Sequence, residues 1–124
     1  MSESQTRLQQ ADLPTPVDVS LFEENGRIIV RCQAGLALYR YDRDVDGRSH
    51  CSDACSNSWP PFLASAEATP VVGEWRTIPR EGARQWTFRR HPIYTYSQDA
   101  PGTARGDGVG GVWHLVTPDR KSVV

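Results

Sequence analysis

From Val17 the chain alternates apolar and polar residues, V-D-V-S-L-F, which is the period of a strand with one face covered. Glu24-Asn25-Gly26 follows, and Asn-Gly supplies the positive φ that a tight hairpin turn requires. The β-branched run Arg27 to Cys32 is the predicted return strand. After a second turn at Gln33-Ala34-Gly35, a third strand is predicted over Leu36 to Tyr41, with Leu36 and Leu38 on one face and Tyr39 and Tyr41 on the other. From Asp42 to Asn57 the residues are small and polar, the pattern of a loop, and Trp59-Pro60-Pro61 then offers two prolines with no N–H for a ladder. Leu63 to Ala68 is the best helical candidate, ended by Thr69-Pro70.

The pattern then restarts. Strands are predicted over Glu74–Pro79, Ala83–Phe88, Ile93–Ser97 and Val112–Val116, with turns at Glu81-Gly82 and Arg90-His91-Pro92 and a glycine-rich loop before the last strand. Landmarks of the two halves recur in one order at almost constant spacing: Gly26 and Gly82 are 56 apart, Tyr39 and Tyr94 are 55 apart, Asp44 and Asp99 are 55 apart, and Trp59 and Trp113 are 54 apart. The chain therefore reads as all-β, two tandem pseudo-repeats of a three-to-four-stranded antiparallel unit. Their apolar faces cover each other, because one unit alone is too small to bury a core. The expected organisation is an N-terminal tail over 1–16, one domain over 17–118 built from repeats 17–63 and 74–116, and a C-terminal tail over 119–124. Pseudo-twofold packing of the halves follows.

Composition narrows the function classes. With 38% hydrophobic residues the core must lean on four Trp, four Tyr and three Phe. Fourteen basic residues balance fifteen acidic ones, and the densest basic spot, Arg89-Arg90-His91, is too short to serve as the footprint of a nucleic-acid binder. No apolar run reaches the roughly 20 residues of a membrane span. The opening MSESQTRLQQADLPTP lacks the apolar region of a signal peptide.

Three groups of residues could carry chemistry. Tyr39, Tyr41, Tyr94 and Tyr96 could form a stacking surface for a ring-bearing ligand; equally, they could pack the sheet, with Asp44 and Asp99 accepting backbone N–H bonds in the turns that follow. Cys51 and Cys55 favour a small disulfide ring, worth about 2 kcal/mol on the chain-entropy model. The alternatives are free thiols, a redox-active dithiol, or a Cu or Zn site shared with His50. Asp42, Asp44, Asp46, Gly47 and Asp53 fall at positions 1, 3, 5, 6 and 12 of the calcium-loop template, with Asp for the usual last Glu; the competing reading is a solvated Asp-Gly turn. Gly106-x-Gly108-x-x-Gly111 precedes a strand, not a helix, so it reads as a turn and not a dinucleotide site. No catalytic constellation stands out.

Tyr39 to Asp44 and Tyr94 to Asp99 both fit Tyr-x-(Phe/Trp/Tyr)-x-x-Asp. Together with Cys51-x-x-x-Cys55 and Trp59-Pro60-Pro61, they make the chain resemble the bacterial secreted or lipoprotein repeat family that carries this motif, over about Val17 to Pro118. That resemblance implies a periplasmic or extracellular location, with the cytoplasm as the alternative, and no established activity. The expectation is a non-catalytic binding or interaction module of the cell envelope, stapled by Cys51–Cys55. Its partner would be a small ligand or an envelope protein and not nucleic acid, and it would need no cofactor. The alternative is a metal-binding or electron-transfer accessory protein that uses Cys51, Cys55 and His50 with Cu or Zn, or the Asp42–Asp53 loop with Ca.

Overall fold

Positive φ at two successive residues is what lets a hairpin turn follow the twist of its strands, and the described residues meet that demand at three hairpins. Asn25-Gly26 (φ 55° and 80°) joins β2 (Val19–Glu24) to β3 (Arg27–Cys32), and Glu81-Gly82 (45° and 83°) joins β6 (Trp75–Arg80) to β7 (Ala83–Phe88). Arg89-Arg90 (52° and 72°) joins β7 to β8 (His91–Pro92). The computed structural model describes residues 6–7, 14–45 and 47–117; Asp46 and the expected tail 119–124 lie outside the described residues.

Three antiparallel sheets result among the described residues. The first is β1–β2–β3, with β1 (Thr6–Arg7) at its edge; the second pairs β4 (Tyr39–Tyr41) with β9 (Trp113–Leu115); the third is β5–β6–β7–β8, with β5 at Val71–Val72. The stretch expected as an N-terminal tail thus contributes β1, and Thr15 and Pro16 are buried ahead of β2.

Several predicted elements fall differently. The strand expected over Ile93–Ser97 is reduced to bridges at Tyr94, and His91–Pro92, expected within a turn, pairs with the end of β7 as β8. Leu63 to Ala68 is not helical: Leu63 bridges to Gln85, the Ala64 N–H donates to the Arg84 carbonyl at 2.8 Å, and the Ser65 N–H donates to the Asp18 carboxylate at 2.8 Å. Tertiary partners on β7 outcompete a weak local preference. The short helix α1 lies instead at Ala54–Ser58, inside the stretch expected as loop.

The halves are interleaved. β4 pairs across to β9, and Tyr39 and Tyr94 exchange backbone bonds, N–H to O at 2.8 and 2.9 Å. The same reciprocity recurs outward from that point. Phe62 N–H donates to the Ile93 carbonyl and Val116 N–H to that of Leu38, both at 2.9 Å; Gly102 N–H donates to the Gly35 carbonyl at 3.1 Å and Gly47 N–H to that of Arg90 at 2.9 Å. Each pair maps onto the other when 54 or 55 is added to one unit's numbers, so a local pseudo-twofold axis passes between Tyr39 and Tyr94. Both buried clusters draw on both halves. One gathers Val19, Leu21, Val30 and Leu38 with Trp75, Trp86, Phe88 and Ile93; the other gathers Tyr39, Cys51 and Trp59 with Tyr94, Trp113 and Leu115.

Candidate functional site

The motif tyrosines and aspartates meet across the pseudo-axis. The Tyr39 hydroxyl donates to Asp99 Oδ2 at 2.6 Å and the Tyr94 hydroxyl to Asp44 Oδ2 at 2.7 Å, each tyrosine using the other unit's aspartate. The remaining oxygens close the turns, Asp44 Oδ1 accepting from His50 N–H at 2.6 Å and Asp99 Oδ1 from Arg105 N–H at 2.7 Å. Tyr39 and Tyr94 are fully buried. Burial, reinforced by the hydrogen bond to Asp99, raises the Tyr39 phenol well above its ordinary range; burial raises that of Tyr94, with Asp44 adding to it. Burial also raises the Asp44 carboxyl, against its bonds from His50 and Tyr94. Tyr41 and Tyr96 are half-buried and end a stack of four rings. Tyr41 lies on Trp113 at 4.1 Å, Trp113 on Trp59 at 3.8 Å, and Trp59 on Tyr96 at 4.1 Å. The four tyrosines therefore hold the two units together.

The candidate metal residues are dispersed. Cys51 and Cys55 are joined as a disulfide, so neither sulfur is a thiolate. Asp44 faces Tyr94, whereas Asp42 turns to β9, where its Oδ2 meets His114 Nε2 at 2.7 Å and its Oδ1 takes the Arg40 guanidinium at 2.8 Å. Against the raising effect of its partial burial, its bonds to His114 and Arg40 hold the Asp42 carboxyl below the usual range. Asp53 is exposed at the start of α1, and His50 is exposed. Among the described residues no three His, Cys, Asp or Glu side chains gather into a group that could hold a metal ion.

What the fold does assemble is a basic cleft at the β7–β8 turn. Arg40, Arg89 and His91 line a cleft of about 350 Å³ over Phe88, Ile93, Leu115 and Val116. Across Arg89 a second cleft of about 620 Å³ is lined by Gly73, Glu74, Arg76, Arg89 and Arg90. Arg89 is the shared wall. Its Nε pairs with Glu74, its guanidinium carbon sits 4.7 Å from the centre of the Phe88 ring, and its Nη2 is buried with no hydrogen-bond partner among the described residues. The apolar floor is itself at most 8% exposed, so guanidinium and imidazole groups dominate what a ligand meets.

The doubled pattern of the chain agrees with what the family comparison finds, a match in two segments, residues 24–62 and 77–117. The chain belongs to a family of secreted repeats of unknown function. No curated protein and no solved structure matches it. The family places this secreted repeat outside the cytoplasm, and among the described residues no helix is long and apolar enough to cross a membrane.

Within the secreted repeat, the pseudo-twofold relation separates scaffold from site. Tyr39/Tyr94, Tyr41/Tyr96, Asp44/Asp99 and Trp59/Trp113 are duplicated. The cleft residues are not. Arg40 corresponds to Thr95, His91 to Leu36, Arg76 to Ser20, and Arg90 to Gly35, which holds φ 91° at the equivalent place. In the sequence Arg89-Arg90-His91 stands only as a short basic run. The signal that could have found the site is a pair of arginines between two strand patterns, where the other two hairpins carry Asn-Gly and Glu-Gly.

Proposed function

We propose that the chain is a non-catalytic binding module of the periplasm or cell exterior, with the β7–β8 turn as its recognition site and an anionic group as what it recognises. One observation carries the reading: Arg90 occupies the left-handed region (φ 72°) at a turn position where the partner unit has glycine. A non-glycine residue there costs on the order of 1 kcal/mol, a cost the scaffold avoids at the second turn position of its other two hairpins, where Gly26 and Gly82 stand. The side chain kept at that cost lies beside Arg89 and Arg76 in the second cleft.

Arg90→Gly tests this directly. Relief of the backbone should raise the unfolding free energy by about 1 kcal/mol, while affinity for inorganic phosphate falls roughly tenfold, the order expected for losing one charge-assisted hydrogen bond. The readouts are urea unfolding and an amide chemical-shift titration with phosphate. Shifts scattered over the surface, without focus on Arg40, Arg89, Arg90 and His91, would refute the assignment.

A further inference from the structure

We infer that the ligand is an extended polyanion, a chain repeating phosphate or carboxylate groups, that lies across both clefts with Arg89 between them. This deepens the anion-binding reading above and rests on it. Arg40 and His91 stand on one side of Arg89, Arg76 and Arg90 on the other, and among the described residues only Arg89 lines both clefts. A single small anion occupies one cleft and leaves the other's cations unused, whereas a chain of anions engages both, and each contact after the first is intramolecular. The cleft floors add to the case: Phe88, Ile93, Leu115 and Val116 are 6%, 0%, 8% and 5% exposed, which leaves little apolar surface for an acyl tail or ring. Glu74 is the one acidic side chain lining either cleft among the described residues. On a chain of net charge −1 these basic side chains are gathered at two clefts that share Arg89, and such a local concentration steers a polyanion towards it. The pseudo-twofold mate of this face has no charged residue at the matching places, Ser20, the turn Gln33-Ala34-Gly35, Leu36 and Thr95.

The test is calorimetric titration of the full chain at fixed ionic strength with inorganic phosphate, tripolyphosphate, long-chain polyphosphate, polygalacturonate and phosphatidylglycerol vesicles. Affinity per anionic group should rise with chain length, reaching roughly a hundredfold gain for the long polymers. Arg40→Ala and Arg76→Ala should each forfeit most of that gain, because either leaves a single working cleft. Both side chains are solvent-accessible, and an unchanged circular dichroism spectrum verifies that the variants fold. A gain with polyphosphate alone, or with polygalacturonate alone, supports the inference and tells phosphate from carboxylate. Equal affinity per group for phosphate and long polymer overturns the polyanion inference but leaves the anion site standing. So does tighter binding to vesicles than to either polymer, which would identify a lipid surface. If neither phosphate nor any polymer binds, the anion site falls as well.

Discussion

Tyr39 shows how one residue does work in both units at once. Its backbone sits on the pseudo-axis and its hydroxyl reaches Asp99 in the other unit, while the Gly106 N–H donates to that same hydroxyl at 3.1 Å. Tyr39→Phe therefore strands a donor and an acceptor, and should cost about 1–3 kcal/mol in urea unfolding. Combining it with Asp99→Asn should cost less than the sum of the two single changes, because the partners act as a pair. Additive costs would mean that the bond contributes nothing of its own. The same phenols give an alkaline signature. Both are held neutral in the fold, so their stabilisation is complete below the ordinary tyrosine value near 10. Above it the unfolded chain releases protons that the fold retains, and stability falls with pH by up to about 1.4 kcal/mol per unit for each tyrosine. Tyrosinate absorbance should show Tyr39 and Tyr94 ionising only as the chain unfolds; these two titrating near 10 with circular dichroism unchanged would contradict their burial. Half of this was legible beforehand. Period two puts Tyr39 and Tyr41 on one face, and an Asp after a strand is a ready acceptor for turn N–H groups. Nothing in one unit's pattern says that the hydroxyl crosses to the other unit's aspartate, because that partner is a property of the packed pair.

Among the elements, those whose signal is local were the readable ones. Asn25-Gly26 and Glu81-Gly82 specify their hairpins by backbone chemistry alone, and β2, β3 and β7 follow with bounds within two residues of expectation. Strand β4 came out shorter than Leu36–Tyr41 because its partner is the distant β9, not β3 alone. Helix α1 was hidden because Ala-Cys-Ser-Asn-Ser is a weak helix former, and its single turn is held by context. Part of that context is the Cys51–Cys55 ring, which brackets the start of the helix, and part is the Trp59 N–H donating to the Cys55 carbonyl at 2.9 Å. Replacing both cysteines by serine should lower stability by about 2 kcal/mol and leave the sheets intact. In hydrogen exchange the Trp59 amide should lose protection while the Tyr39 and Tyr94 amides keep theirs. Loss of protection at all three would make the disulfide a condition of the whole fold and not a local staple.

At the level of the molecule, neither unit owns its core. Trp75, Trp86 and Ile93 complete the cluster begun by Val19, Val30 and Leu38, and Trp59 stacks on Trp113 with Gly106 so close that a Cβ there would lie 2.7 Å from the Trp59 ring. Arginines tie the exchange further: Arg31 Nη1 donates to the Thr103 carbonyl at 3.0 Å and Arg80 Nη2 to the Cys51 carbonyl at 2.6 Å, each reaching into the other unit's aspartate loop. A duplicated chain could instead have been two small domains side by side, and the two arrangements predict different behaviour when the chain is cut. Thr69 and Pro70 are exposed between the repeats, so fragments 1–69 and 70–124 divide the units without removing a strand. Each alone keeps only part of either core, too little apolar burial to offset the entropy of ordering. Each fragment should therefore lack near-ultraviolet circular dichroism and unfold without a cooperative transition. Mixed in equal amounts, the two should recover the aromatic signal of the Tyr41–Trp113–Trp59–Tyr96 stack, with a midpoint that depends on concentration, as for any bimolecular fold. Cooperative unfolding of either fragment alone would show that the repeats are autonomous and that the exchanged Tyr–Asp bonds only dock them.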